Sequence, residues 1–387
     1  NNIKMKKIIK IILLLTLTFS IFLGEVFAEE KIKIGLLVPL TGKNSEIGQS
    51  IIKSTRLAIN QIDNLSIEII PKDTASSPEV TLKSAKELEK LGIRIVIGPV
   101  FNENLIYLNE LSNLTFLSLT NKNDNRSSNI INAGINATSQ LNAIKKFIEL
   151  NEIKKTIFLT SDSNYKNEII QAISNSRIKI IENYIYDTDP TKLTKQIEKI
   201  TNYERRKQNL EDEIKRLEES DENNIEKLIE RLKKKDTLGN VNFDSLIIAD
   251  FDESLKSVTT SLLYTDILPK EKYFITLNQW FDESLLKETN LQPIYFPSIN
   301  KENYEDFSLE YFNKYNQYPN QLSFLSYDLI GLIYFLILQN ESIINEKIFE
   351  KKVLFKGKVG IFEIKKNKIN HILNFYKVEN KKFKKIF

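Results

Sequence analysis

The period of apolar positions changes repeatedly along the chain, and residues 67–99 show the change most plainly. Ile67, Ile69 and Ile70 open with a short strand-like run, and a polar turn follows with Asp73, Thr74, Ser76, Ser77 and Pro78. Val80, Leu82, Ala85, Leu88 and Leu91 then recur at helical spacing up to Gly92, and Ile93, Ile95, Val96 and Ile97 form a second run closed by Gly98-Pro99. Strand, helix, strand at this length predicts a parallel βαβ unit. Its β-branched, nearly continuous strands fit a sheet covered on both faces. In such sheets ligands bind at the carboxyl ends of the strands. Here those ends carry Asp73-Thr74-Ala75 and Gly98-Pro99-Val100-Phe101-Asn102.

The same grammar extends both ways. Residues 32–38 predict a first strand. Ser45 is a plausible N-cap for a helix to residue 60, with Ile47, Ile51, Leu57 and Ala58 inward. A helix over 103–112 and a strand over 116–119 complete a β-α-β-α-β-α-β lobe. Residues 132–136 read as a crossing point. A second lobe then begins, with a helix over 139–150 and strands at 156–160, 179–186, 246–249 and 273–277. Helices are predicted from Tyr304 to Tyr315 and over 322–338, and from Phe355 the pattern becomes a β-meander, with 371–378 as one strand. The fold class is therefore α/β: two doubly wound lobes with a central cleft and hinge.

Residues 203–235 break the pattern. They contain no Gly or Pro and are dense in charge. Leu210, Ile214 and Leu217, then Ile225, Leu228 and Leu232, predict two antiparallel helices of about fourteen residues with a polar tip at 221–224. This helical hairpin insertion is either a solvated prong or a docking surface for another protein.

Composition narrows the function. With 41% hydrophobic and 27% charged residues the chain is a packed globular protein. The formal charge is +4, and the leader's Lys4, Lys6, Lys7 and Lys10 less Glu25 account for three of those charges. A nucleic-acid partner needs a basic stripe, so none is expected. There is no cysteine, which excludes disulfides, thiol nucleophiles and a lipid-anchored cysteine. The single histidine, His371, reads as an ordinary strand residue.

Met5 is read as the start of a signal peptide over residues 1–28. Lys6, Lys7 and Lys10 precede an apolar stretch over 11–23, and cleavage is placed after Ala28; an uncleaved anchor is the alternative. The expected product is exported, soluble and periplasmic, and not a lipoprotein.

No enzyme signature emerges. Gly42-Lys43 lacks the upstream glycine of a phosphate loop, and there is no G-x-S-x-G and no metal-binding His pair. No catalytic residue, metal or cofactor is assigned. A binding cleft fits better, lined by Asn44, Ser45, Asp73, Thr74, Asn102, Ser118, Thr120, Tyr165, Asp250 and Trp280. Short polar side chains and helix N-terminal amides suit a small anionic group, and Tyr165 and Trp280 suit stacking on an apolar part. Each of these residues has an alternative use in turns or caps.

From Lys31 onward the chain resembles the leucine-binding, type 1 periplasmic-binding-protein superfamily. The motifs are residues 34–42 (IGLLVPLTG), Asp73-Thr74, Ile97-Gly98-Pro99, Ser118-Leu119-Thr120, Asp162 with Tyr165, and Tyr327-Asp328. The resemblance implies three crossovers near Asn136, Pro297 and Asn345. That gives one lobe from 29–136 and 298–345, and another from 137–297 and 346–387. It also implies an amino-acid-like ligand, delivered to the membrane subunits of an ABC importer. Thr120 and Tyr165 match the family's ligand contacts. Asn102 stands where the family has Ser, and Asn278-Gln279-Trp280 stands near where it has an acid, for which Asp250 is a substitute. The insert, residues 236–239 and 243–244, and the Phe355 to Gly360 ending look like the penicillin-binding-protein activator branch. That branch implies regulation of a peptidoglycan synthase, with an empty or vestigial cleft.

Overall fold

A computed structural model describes residues 31–62, 67–122, 127–220, 225–277, 280–340 and 346–387. The expected leader, the hairpin tip at 221–224, Asn278-Gln279 and the crossover point at Asn345 lie outside them. The first lobe comprises β1 (Ile32–Val38), α1 (Ser45–Ile59), β2 (Ile67–Asp73), α2 (Pro78–Lys90), β3 (Ile95–Ile97), β4 (Thr115–Ser118) and β5 (Ile130–Asn132). Its five strands are parallel, in the order β2-β1-β3-β4-β5. β1, β3 and β4 are fully buried except at the start of β1, as their apolar runs require. α2 begins where Ser77 accepts from the Val80 amide and Pro78 pre-sets the first turn.

The second lobe begins with α3 (Ala137–Leu150), β6 (Thr156–Ser161), α4 (Lys166–Asn175), β7 (Ile180–Tyr186) and α5 (Pro190–Ile200). It continues through α6 (Tyr203–Glu218), α7 (Ile225–Leu232), β8 (Ser245–Ala249), α8 (Asp252–Tyr264), β9 (Tyr273–Thr276), α9 (Ser284–Lys287) and β10 (Ile294–Ser298). The chain then returns to the first lobe as α10 (Lys301–Tyr315) and α11 (Ser323–Gln339). Both are fastened to α1: Ser54 Oγ donates to the Ser323 carbonyl at 2.6 Å and the Tyr315 hydroxyl to the Lys53 carbonyl at 2.9 Å. α11 is apolar nearly all round because it is buried nearly all round.

The last strands are β11 (Val353–Lys356), β12 (Ile361–Lys365), β13 (Lys368–His371), β14 (Asn374–Glu379) and β15 (Lys382–Lys385). β11 to β13 form a small antiparallel sheet of their own. β14 and β15 join the second lobe's sheet, ordered β15-β14-β10-β9-β8-β6-β7, as an antiparallel edge on five parallel strands.

Segments near the lobe boundaries are tied together. Asn136 caps α3 by accepting from the Ser139 amide (2.8 Å), and Asn300 caps α10 in the same way (2.9 Å). The His371 amide donates to Ser139 Oγ, and its Nε2–H donates to the Ala133 carbonyl at 2.7 Å. On α11 the Asp328 carboxylate accepts the main-chain N–H groups of Lys358, Val359 and Gly360 at 2.7–3.3 Å. This loop approaches so closely that a Cβ on Gly357 would lie 2.4 Å from the Asp328 carboxyl carbon, so only glycine fits.

Several sequence expectations need correction. The predicted helix over 103–112 is two short 3-10 turns, Asn102–Leu105 and Leu108–Glu110. The reason is visible in the spacing: Leu105, Leu108, Leu111 and Leu114 recur every third residue, the 3-10 repeat, and all four are buried. β5 is a strand the pattern did not predict, and it ends at Asn132, where the expected crossing point begins. Ser45 is the first helical residue; Asn44 takes the cap position without a capping side-chain bond. The strand expected over 371–378 is broken at Ile372-Leu373, where the chain passes from one sheet to another. In the hairpin, eight described residues of α7 are helical, and the helix ends at Leu232. Ile229, not Leu228, packs with Leu210, Leu217 and Leu232, and Leu228 is exposed.

Candidate functional site

The carboxyl ends of β3 and β4 face those of β9 and β10 across a cavity of about 390 Å3. The first lobe contributes Phe101, Asn102, Leu119 and Thr120 from the loops after β3 and β4, together with Leu322, Phe324 and Leu325 at the start of α11. Gln140 of α3, Trp280 after β9 and Ser298 at the end of β10 supply the opposite wall. Trp280 bridges the lobes: its ring stands edge-on to Tyr304 (5.1 Å between centroids) and near-parallel to Phe324 (6.1 Å). Gly134 brings the crossover strand against this wall, and a Cβ there would lie 2.4 Å from the Thr120 carbonyl oxygen.

Of the ten residues expected at a cleft, Asn102, Thr120 and Trp280 line this cavity. Asn44, Ser45, Asp73 and Thr74 are not on its wall. They belong to a neighbouring junction, where the Asp73 carboxylate accepts the Leu40 and Ala75 amides (2.7 and 2.8 Å) and the Thr41 hydroxyl (2.6 Å). Burial pushes that carboxyl up, but the Thr41 hydroxyl and the two amides outweigh it and hold it below its usual value. The junction ties the loop after β1 to the loop after β2, and Asn44 joins it through the Ser76 hydroxyl at 3.0 Å. Ser118 is buried behind the wall, its hydroxyl donating to the Pro99 carbonyl and accepting the Thr120 amide, both at 3.3 Å.

Tyr165 and Asp250 form a third group. The Asp250 carboxylate accepts the Tyr165 hydroxyl at 3.1 Å and the Tyr186 hydroxyl at 2.5 Å, and it is 2% exposed. Ser161 lies 3.1 Å from the Tyr165 hydroxyl. Burial, reinforced by the Asp250 charge, drives the Tyr186 phenol far above its ordinary range, so it stays a proton donor to that carboxylate. Thus the acid that the sequence offered for a ligand ammonium is engaged by two tyrosines.

Sequence reading missed Phe101, Gln140, Ser298, Gln321 and Phe324 as cavity residues. Phe101 stood in a stretch already singled out as a strand end. Gln140 and Ser298 follow the first and second crossovers, and nothing in the linear pattern sets them apart.

None of the hairpin's described residues lies on the cavity wall. It is fixed to the second lobe by Arg206, buried at 5% exposure, whose guanidinium donates to the Thr201 carbonyl (3.0 Å), the Thr237 hydroxyl (2.9 Å) and the Thr265 carbonyl. Among the described residues no group of three or more His, Cys, Asp or Glu is placed to hold a metal ion, and no helix is long and apolar enough to cross a membrane.

The periplasmic binding protein family profile matches residues 31–202. No curated protein matches the chain. Several solved structures are similar to it. A protein assigned to branched-chain amino acid ABC transport from Rhodospirillum rubrum aligns with TM-score 0.70 at 11% identity, covering 92% of this chain and 100% of that one. The C-domain of LpoA from Haemophilus influenzae, a regulator of PBP1A, aligns with TM-score 0.60 at 13% identity, covering 92% and 100%. LivJ from Streptococcus pneumoniae, a branched-chain amino acid substrate-binding protein solved with isoleucine, aligns with TM-score 0.53 at 16% identity, covering 92% and 98%. At these identities the likeness is one of fold: a two-lobed α/β fold shared with solved periplasmic binding proteins.

Proposed function

We propose that the chain is a non-enzymatic, exported binding protein that holds one small polar molecule between its two lobes, in the manner of receptors that serve ABC importers. In this reading the lobes divide at the three crossovers near residues 136, 297 and 345, and closure about them traps the ligand. The observation that carries the reading is the cavity itself. It lies at the carboxyl ends of strands from two doubly wound sheets, where such folds bind ligands, and Asn102, Thr120 and Trp280 converge on it. Its volume lies at the small end of roughly 300–1,000 Å3 for ligand pockets, which suits a molecule of amino-acid size. Tyr165 and Asp250 act in this account as internal support for the second lobe. In this reading the protein works in the periplasm after export.

The test is thermal unfolding of residues 29–387 against amino acids, small carboxylates, sugars and peptidoglycan fragments. A ligand at about 100 times its dissociation constant adds roughly 2.7 kcal/mol of stability, so a clear rise in melting temperature with one class is expected. A well-formed transition that no compound moves overturns the receptor reading.

A second reading is supported by the hairpin, which Arg206 holds rigidly to the second lobe and away from the cavity, and by the likeness to the PBP1A regulator. In it the chain regulates a peptidoglycan synthase through protein contacts. Deleting residues 207–235 abolishes synthase binding if the hairpin is the contact; unchanged binding removes it from the account.

A further inference from the structure

A second cavity lies at the far end of the second lobe. Its volume is about 860 Å3, against about 390 Å3 between the lobes. It opens at the amino-terminal ends of β9 and β10, the opposite ends of those strands from the inter-lobe cavity, and the turn joining β14 to β15 forms its side. Gln292 builds that wall. Its carboxamide donates to the Leu285 and Leu286 carbonyls (3.1 and 3.2 Å) and accepts the Lys381 amide (3.0 Å), so the turn is fixed against the segment leading into β10. The floor is formed by the half-buried rings of Tyr273 and Tyr295, 5.4 Å apart between centroids and both packed on Phe147.

The uncommitted groups of this cavity are mostly donors. Among the described residues, the Tyr273 and Tyr295 hydroxyls make no hydrogen bond, and Lys270, Lys272 and Lys381 have no carboxylate partner. Burial, then its neighbours Tyr273 and Glu379, push the Tyr295 phenol up to about 12, so it keeps its proton. Of the two acids on the lining, Glu379 is held by Lys377 and Lys384 at 3.0 and 2.7 Å, which leaves Glu271 against three lysines. The surplus is positive, and ammonium and phenol donors bond most strongly to anionic oxygens. The two tyrosine rings are inclined at 61°, so they form a stepped apolar floor and not a slot for a flat aromatic ring. Such a floor fits the C–H faces of puckered sugar rings. The volume, in the upper part of the roughly 300–1,000 Å3 of ligand sites, holds a short chain of them.

We propose that this cavity is a second binding site, taking an acidic oligosaccharide whose carboxylates meet Lys270, Lys272 and Lys381 and whose rings lie on Tyr273 and Tyr295. It shares no lining residue with the inter-lobe cavity, so the two readings stand or fall separately.

The experiment is calorimetric titration of residues 29–387 with tri-D-galacturonate. Maltotriose supplies rings without charge, citrate supplies charge without rings, hexa-L-glutamate is an acidic peptide, and phosphatidylglycerol vesicles are an anionic membrane. The expected result is saturable binding of the trigalacturonate, at least tenfold tighter than maltotriose, citrate or the peptide, and weakening severalfold between about 50 and about 300 mM salt. The double substitution Lys270→Gln with Lys381→Gln, on two exposed side chains, is expected to lose at least tenfold in affinity. Tyr295→Phe, which keeps the ring and removes the donor, is expected to lose at least threefold. Lys314→Gln, on an exposed lysine of α10, leaves binding unchanged. Citrate binding as tightly as the trigalacturonate reduces the cavity to a charged patch and overturns the proposal, and maltotriose doing so overturns it equally. Binding of the peptide or the vesicles as tightly or more so overturns the ligand class. No binding, or binding that survives the double substitution, overturns the site.

Discussion

The strand ends of the two lobes carry similar polar residues and use them in opposite ways. In the first lobe, Asn102 and Thr120 stand on the cavity wall at the ends of β3 and β4. In the second, Tyr165 and Asp250 stand at equivalent positions after β6 and β8, and with Tyr186 they bond to one another. A polar residue at a strand end is thus a candidate contact in one lobe and an internal brace in the other. What distinguishes them is where they face: Asn102 and Thr120 line the cavity, whereas the Asp250 carboxylate is 2% exposed and turned towards the Tyr165 and Tyr186 hydroxyls.

That contrast can be broken by mutation. Asp250→Leu leaves two tyrosine hydroxyls at a buried site without their acceptor and should cost about 3 kcal/mol in urea unfolding. A loss under about 1 kcal/mol would mean that the brace is not structural.

The hinge offers a pH test. Burial presses the His371 imidazole down to about 4 from 6.5, so the folded state resists protonation. Its contribution is complete above pH 6.5 and is lost as pH falls through 6.5 to 4. At roughly 1.4 kcal/mol per unit the loss approaches about 3 kcal/mol. Asp328 works the other way. Burial raises its carboxyl to about 7 despite the amides it accepts, so its contribution declines as pH rises from 3.8 to 7. The two oppose each other in the wild-type curve. The sharper measurement is therefore the stability difference between wild type and His371→Gln, which should shrink steadily from pH 7.5 to pH 4. A pH-independent difference contradicts the assignment.

Smaller effects refine the first-lobe side. Asn104 sits beside the cavity loop at 1% exposure, and neither amide atom has a hydrogen-bond partner. Asn104→Leu removes that desolvated amide and should stabilise the protein by about 1 kcal/mol. A comparable destabilisation would show that the amide is satisfied by water. Thr120→Val should leave stability within about 1 kcal/mol, since its hydroxyl accepts only a long bond from the Lys122 amide.

Much of this architecture was legible because period and punctuation agree in it. The βαβ unit at 67–97, the hairpin and the buried helix α11 follow from apolar spacing with Ser, Pro and Gly at the ends. The leucine repeat of three after Asn102 was equally visible, but a helix-minded reading assigned it to the wrong helix type. The site was less legible. Strand ends can be found in one dimension; which of their side chains face a cavity and which face each other depends on how two sheets pack. Gln140, Ser298 and Phe324 reach the wall through crossovers, and Asp73 is drawn away from it by the Leu40 amide and the Thr41 hydroxyl.

The most direct test of the central claim is calorimetric titration of a cavity ligand into Thr120→Val and Tyr165→Phe side by side. Thr120 lines the cavity, whereas Tyr165 braces the lobe behind it. The account predicts at least a tenfold loss of affinity for Thr120→Val and less than threefold for Tyr165→Phe, about 1.4 kcal/mol against under 0.7. The reverse order would place the ligand on the Tyr165–Asp250 cluster and contradict the account.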